Sequence, residues 1–214
     1  MKFGRQKPQW PQPQREEITK RARLLIIDDQ DFPYLKFFQR DGYQIEKKDD
    51  VESVRDLERG DWDMVLLDLH GVGTAFSDEQ GLGVLRHLRR SAPSVLVIAY
   101  SNADWPLDIN QDFFDLADAT VGKSNASYFE FKQKVDEQLI RRYSQGFFID
   151  RFADVVGSEN AARSEKEWDR ALYKQDTNRL RTKLESLGVE KEDIALALSL
   201  VQTAATVAGL WQSN

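Results

Sequence analysis

Five side chains in this sequence could do chemistry together. Asp28 and Asp29 follow the apolar run Leu24-Leu25-Ile26-Ile27, and Asp68 follows Met64-Val65-Leu66-Leu67. Ser101 comes shortly after Val95-Leu96-Val97-Ile98, and Lys123 shortly after Ala119-Thr120-Val121. Singly, each has an ordinary structural use, since strand-end aspartates cap helices and form turns. Together, three carboxylates, a hydroxyl and an amine make a specific set. Crowded carboxylates repel, so they keep a proton or hold a cation. An all-oxygen cluster suits hard Mg²⁺, which takes one or two protein carboxylates and keeps several waters. Such a site could receive a phosphoryl group on a carboxylate, with the ammonium and hydroxyl binding its remaining oxygens.

The elements that must position these residues can be read from patterning. Short continuous apolar runs mark strands buried on both faces. Between them, Phe32, Leu35 and Phe38, then Val51, Val54 and Leu57, then Leu82, Leu85 and Leu88 recur at helical spacing. Phe113, Phe114 and Leu116 suggest a short helix, and Tyr128, Phe131, Val135 and Leu139 line a longer one. Gly42-Tyr43-Gln44-Ile45 supplies the remaining strand. Strand–helix alternation of this kind predicts a doubly wound five-stranded parallel α/β sheet. Ligands in such sheets sit beyond the carboxyl ends of the strands, where the five residues fall.

Composition narrows the classes. The chain has 214 residues, 41% of them hydrophobic, enough for one domain and an appendage. It has no cysteine, which excludes disulfides, zinc–thiolate sites and thiol catalysis. Its two histidines, His70 and His87, leave little room for a histidine metal site, and the His70 ring reads as an ordinary loop side chain. The net charge of −6 and the absence of a basic face argue against DNA binding. No secretory signal is visible, so a cytoplasmic location is expected.

Residues 21–143 resemble the CheY-like receiver domain of response regulators. The resemblance rests on Leu24-Leu25-Ile26-Ile27-Asp28-Asp29, on Asp63-Met64-Val65-Leu66-Leu67-Asp68-Leu69, on Ala99-Tyr100-Ser101 and on Lys123. Gly81-Leu82-Gly83-Val84-Leu85 matches the glycine-led start of the third helix. The resemblance implies a flavodoxin-like fold and a signalling module rather than a turnover enzyme. Asp68 would be the phosphoacceptor, taking phosphate from a sensor histidine kinase or phosphotransfer protein. Mg²⁺ would be held by Asp29, by Asp28 directly or through water, by Asp68 and by the backbone carbonyl of His70. Lys123 would pair with the phosphoryl group, and Ser101 would move to hydrogen-bond it.

Four stretches depart from the family's pattern. His70-Gly71-Val72-Gly73 replaces Met-Pro after the phosphoacceptor, in a longer loop. Asn102 stands where a small residue is usual, Thr120 where an aromatic is usual, and Ser124 where proline is usual. These favour a rival reading, a scaffold that binds partners without phosphorylation. A haloacid-dehalogenase-type phosphatase is the distant alternative; it needs a second aspartate where His70 stands.

Residues 1–20, rich in Gln and Pro, read as an irregular basic tail. Residues 144–214 read as a helical extension. Ser164-Glu165-Lys166-Glu167 forms a capping box, Trp168, Leu172, Leu180, Leu184 and Leu187 form one face, and Gly188 is a stop. A second helix from Glu190 would complete an αα-hairpin. Ile194–Trp211 carries no charge, but its Ser, Gln, Thr and Gly residues argue against a membrane span. That helix has two apolar stripes. Ile194, Leu198, Val201, Ala205 and Ala208 form one; Leu196, Leu200, Thr203, Val207 and Leu210 form the other. A hairpin buries one, so the second is expected to drive homo-oligomerisation through residues 190–214.

Overall fold

A computed structural model describes residues 10, 13–51, 53–58, 61–101, 115–123 and 126–209. The chain divides into two compact units, residues 14–142 and residues 143–214 with 1–13.

The first unit is built on the strands β1 (Arg23–Ile27), β2 (Gln44–Lys48), β3 (Met64–Asp68), β4 (Leu96–Ser101) and β5 (Ala119–Gly122). They form one parallel sheet in the order β2-β1-β3-β4-β5. This is the flavodoxin-like doubly wound order expected from the sequence. The three central strands are apolar between their ends, where Arg23, Asp68 and Ser101 stand, because helices cover both of their faces. Every residue of β3 and β4 is buried, whereas edge strand β2 buries only Ile45.

The helices of this unit are α1 (Arg15–Arg21), α2 (Leu35–Arg40), α3 (Val54–Glu58), α4 (Gly81–Ser91) and α5 (Tyr128–Arg142). On one face, Leu25, Ile27, Val65, Leu67, Val97 and Ala99 pack with Leu57, Val84, Leu85 and Leu88 of α3 and α4. The other face is aromatic: Phe32 packs against Phe38, Tyr100 and Phe131, in edge-on, tilted and stacked contacts. Burial of each such side chain is worth about 1.5–3 kcal/mol.

Helix α1 corrects the expectation of an irregular tail through residue 20. Glu16 and Glu17 lie in its first turn and Lys20 and Arg21 in its last, in keeping with the helix dipole. It buries Ile18 and Thr19 and packs on α5 and β2. Arg15 pairs with Asp136 of α5, a buried carboxylate that also accepts from the Tyr43 hydroxyl and lies 3.3 Å from Lys132.

The start of β5 is set by a second buried ion pair. Arg89 Nη2 lies 2.5 Å from Asp118 Oδ2, and that oxygen accepts the Val97 N–H at 2.8 Å. Arg89→Ala removes the guanidinium from the Asp118 carboxylate, which keeps the Val97 amide and a longer contact to Arg141 (3.5 Å) among its partners. It should cost about 2 kcal/mol in urea unfolding, the typical worth of a hydrogen bond to a charged group. An unchanged midpoint would show that Arg89 does not hold β5.

The second unit comprises α6 (Gln145–Val156), α7 (Ser158–Arg163), α8 (Glu165–Lys174), α9 (Thr177–Ser186) and α10 (Lys191–Val207). Trp10 belongs with it, donating its indole N–H to the Tyr143 carbonyl at 2.7 Å. The expected αα-hairpin is therefore too simple. The apolar face from Trp168 to Leu187 is split at Gln175, whose backbone is left-handed (φ 56°). Asp176 sits where a continuous stripe would need an apolar residue and pairs with Arg170 at 2.8 Å. Nor does Ser164 close a capping box; its hydroxyl donates to the Asn160 carbonyl at 2.6 Å.

Helix α10 packs on α6, α8 and α9. It buries Ile194, Leu198, Val201, Ala205 and Ala208, but also Leu200, while Leu196, Thr203 and Val207 are half-buried. The second stripe is thus not a free apolar surface, because several neighbouring helices cover it rather than one. Self-association through residues 190–214 is left as a proposal, and Leu210 lies outside the described residues. Among the described residues, no helix is long and apolar enough to cross a membrane.

Candidate functional site

Strand register brings the chemistry to one edge. Ile27 pairs with Leu67, Asp68 with Tyr100, and Ser101 with Gly122. Asp28, Asp68, Ser101 and Lys123 therefore emerge at one level, at the carboxyl ends of four adjacent strands. The structure brings all five predicted side chains to this edge.

Lys123 is the electrostatic centre. Its ammonium lies 2.9 Å from Asp68 Oδ2 and 2.9 Å from Asp28 Oδ2, and 3.1 Å from Asp28 Oδ1. Its backbone N–H donates to the Ser101 carbonyl at 2.8 Å, which fixes the turn leaving β5. Burial pulls the ammonium's pKa down, but its bonds to Asp28 and Asp68 outweigh that and raise it above the ordinary lysine value.

The three carboxylates differ in their surroundings. Asp28 is fully buried and accepts from the Gln30 N–H at 2.9 Å and the Tyr100 hydroxyl at 2.9 Å, besides Lys123. Asp68 is buried and accepts the His70 N–H at 3.2 Å on Oδ1. Asp29 is exposed, and among the described residues nothing hydrogen-bonds or pairs with its carboxylate. Oxygens of Asp28, Asp29 and Asp68 lie within 4.8 Å of one another.

These residues fit a hard divalent cation. The donors are all oxygen, and among the described residues Asp29 has no partner and Asp68 Oδ1 accepts one hydrogen bond. The backbone also closes tightly around them. A Cβ on Gly71 would lie 2.4 Å from Asp29 Oδ2, and Gly71 has φ +79°, so a side chain there would be strained and would displace the Asp29 carboxylate. A Cβ on Gly81 would lie 2.3 Å from the Asp68 carbonyl oxygen. The loop between them is held by Gln80, whose Oε1 accepts the Gly71 N–H at 2.9 Å, and by Asp50, whose Oδ1 accepts the Gly73 N–H at 2.5 Å.

Two participants were not legible as such in the sequence. The Tyr100 hydroxyl, inside an apolar run, binds Asp28; burial first, and then Asp28, push its pKa far up, so it remains a donor. The His70 ring is also engaged, its Nδ1 lying 2.9 Å from Ser101 Oγ. A tyrosine amid aliphatic strand residues was the available signal for Tyr100, since a buried phenol seeks a partner. Nothing in the sequence pointed to the His70 ring. Thr120 is half-buried in β5 opposite Ala99. Asn102 and Ser124 lie outside the described residues, as do Phe113 and Phe114.

No protein-family model matches this chain, and no curated protein matches it. Among solved structures, it is similar to a CheY-like response regulator receiver domain protein from Methanospirillum hungatei JF-1, with 20% identity and a TM-score of 0.44, over 56% of this chain and 95% of that one. It is also similar to a DNA-binding response regulator of the LuxR family from Staphylococcus aureus, with 20% identity and a TM-score of 0.44, over 56% and 98%. A third is a response regulator from Thermotoga maritima in complex with Mg²⁺ and BeF, with 24% identity and a TM-score of 0.41, over 55% and 98%. The 2-1-3-4-5 parallel sheet of residues 14–142 is the flavodoxin-like doubly wound fold, and the solved structures to which the chain is similar include CheY-like response regulator receiver domains.

Proposed function

We propose that the first unit is a phosphorylation-controlled receiver and that Asp68 is its phosphoacceptor. The observation that carries this reading is the Lys123 ammonium bridging Asp28 and Asp68 beside the exposed Asp29 carboxylate. A carboxylate oxygen of Asp68 attacks phosphorus in a phosphohistidine donor, held by a histidine kinase or phosphotransfer protein. The new O–P bond forms as the P–N bond breaks, and the electron pair leaves on the donor imidazole. Lys123 then binds a phosphoryl oxygen in place of its contact to Asp68. The Ser101 hydroxyl leaves His70 to donate to another. A divalent cation held by Asp29 and Asp68 supplies charge neutralisation for the incoming group when bound. The His70 carbonyl and Asp28 are the other candidate ligands.

The rival reading, partner binding without phosphorylation, has one observation in its favour: the Ser101 hydroxyl is already engaged by His70. The haloacid-dehalogenase alternative finds no support, because the position two residues after Asp68 offers an imidazole bonded to Ser101 rather than a carboxylate. Under the proposed reading, the helical unit carries the output through protein contacts. Self-association through residues 190–214 would use the half-buried Leu196, Thr203 and Val207 of α10.

Intact mass spectrometry after incubation with a small acyl phosphate and Mg²⁺ tests the reading. The full chain should gain one phosphate, and a chelator should prevent it. An unchanged mass under saturating donor would leave the scaffold reading in its place.

A further inference from the structure

Asp28 has four lone-pair directions, two on each oxygen. Oδ1 meets the Gln30 N–H at 2.9 Å and the Lys123 ammonium at 3.1 Å. Oδ2 meets the Tyr100 hydroxyl at 2.9 Å and the same ammonium at 2.9 Å. Both oxygens are engaged, and the residue is fully buried. The neighbouring Asp29 is the opposite case, exposed and with no hydrogen-bonding or ionic partner among the described residues. A cation or its bound water would have to displace one of these donors to reach Asp28.

The Tyr100 hydroxyl is the donor whose removal isolates the effect. The Gln30 amide is backbone, and Lys123 serves Asp68 as well. The phenol ring is fixed by Phe32 and Phe131, with centroids 5.7 and 5.5 Å away. It cannot swing aside without opening that cluster. From this geometry, and resting on the receiver reading above, we propose that Tyr100 is a positioning residue that withholds Asp28 from the divalent cation. The cation is then held by Asp29 and Asp68 alone among the carboxylates. Asp28 serves as the fixed counter-ion of Lys123. Fewer anionic ligands mean weaker cation binding, since affinity in such sites follows ligand charge.

Tyr100→Phe is the test, because it keeps the ring among Phe32 and Phe131 and removes only the hydroxyl. Mg²⁺ binding is measured on the full-length protein by isothermal titration calorimetry, without phosphodonor. Tyr100→Phe should bind Mg²⁺ about fivefold or more tightly, as one lone pair of Asp28 becomes available. Adding Asp28→Asn to Tyr100→Phe should abolish the gain, and Asp28→Asn alone should weaken binding far less than Asp29→Asn. Equal affinity of wild type and Tyr100→Phe would overturn the proposal. So would Asp28→Asn costing as much as Asp29→Asn, or absence of Mg²⁺ binding in all variants. Phosphate incorporation in the same wild-type sample reports on the receiver reading separately. A labelled protein whose Mg²⁺ affinity ignores Tyr100→Phe would keep that reading and lose only this inference.

Discussion

Lys123→Gln is expected to cost about 3–5 kcal/mol of folding stability in the absence of a divalent cation, the loss typical when one member of a buried ion pair is removed. The lysine side chain is only 10% exposed and lies between Asp28, fully buried, and Asp68, nearly so. Glutamine can donate a hydrogen bond but brings no charge, so two carboxylates would face each other uncompensated. Added Mg²⁺ should restore part of the loss, because a cation bound to the folded state shifts unfolding by mass action. Urea unfolding with chelator and with Mg²⁺ measures both effects. A loss below about 1 kcal/mol would mean that water reaches the carboxylates and that Lys123 is not the centre of the site. The same lysine predicts an alkaline limit. Folding raises its pKa, so its contribution is fully present below the ordinary value of 10.5 and is lost as pH rises through the higher folded value.

Asp29→Asn should abolish the response to Mg²⁺. Asp29 is the exposed carboxylate with no hydrogen-bonding or ionic partner among the described residues, so it is the ligand most available to a cation. For the wild type, Mg²⁺ at a hundred times its dissociation constant should stabilise the fold by about 2.7 kcal/mol. The variant should show little of this. It should also be slightly more stable than wild type in chelator, because one of three crowded carboxylates has become neutral. Thermal unfolding of both proteins with and without Mg²⁺ reads the two effects. Equal Mg²⁺ shifts would remove Asp29 from the site and leave the cation without its most accessible ligand.

Much of the architecture could be read in advance because central parallel strands advertise themselves. Leu24–Ile27, Met64–Leu67 and Leu96–Ile98 are buried on both faces and tolerate no polar residue, and the polar residues that end them are the site. Other features depend on three-dimensional neighbours that periodicity does not count. Helix α1 hides one isoleucine among charged residues next to a Pro- and Gln-rich stretch, and its partner Asp136 lies far along the chain. Tyr100 reads as core because most aromatics in apolar runs are core. Only the register of β3 and β4, which pairs it with Asp68, together with its bond to Asp28, shows its second role. For α10, periodicity finds two stripes but not the number of helices that cover them.

The position of the phosphate tests the central claim most directly. After treatment with phosphodonor and Mg²⁺, borohydride reduction traps an aspartyl phosphate as homoserine, which peptide mass spectrometry then locates. The account predicts a single modified residue, Asp68, and none in Asp68→Asn. Modification that persists in that variant, or phosphate found on His70 or elsewhere, would contradict it.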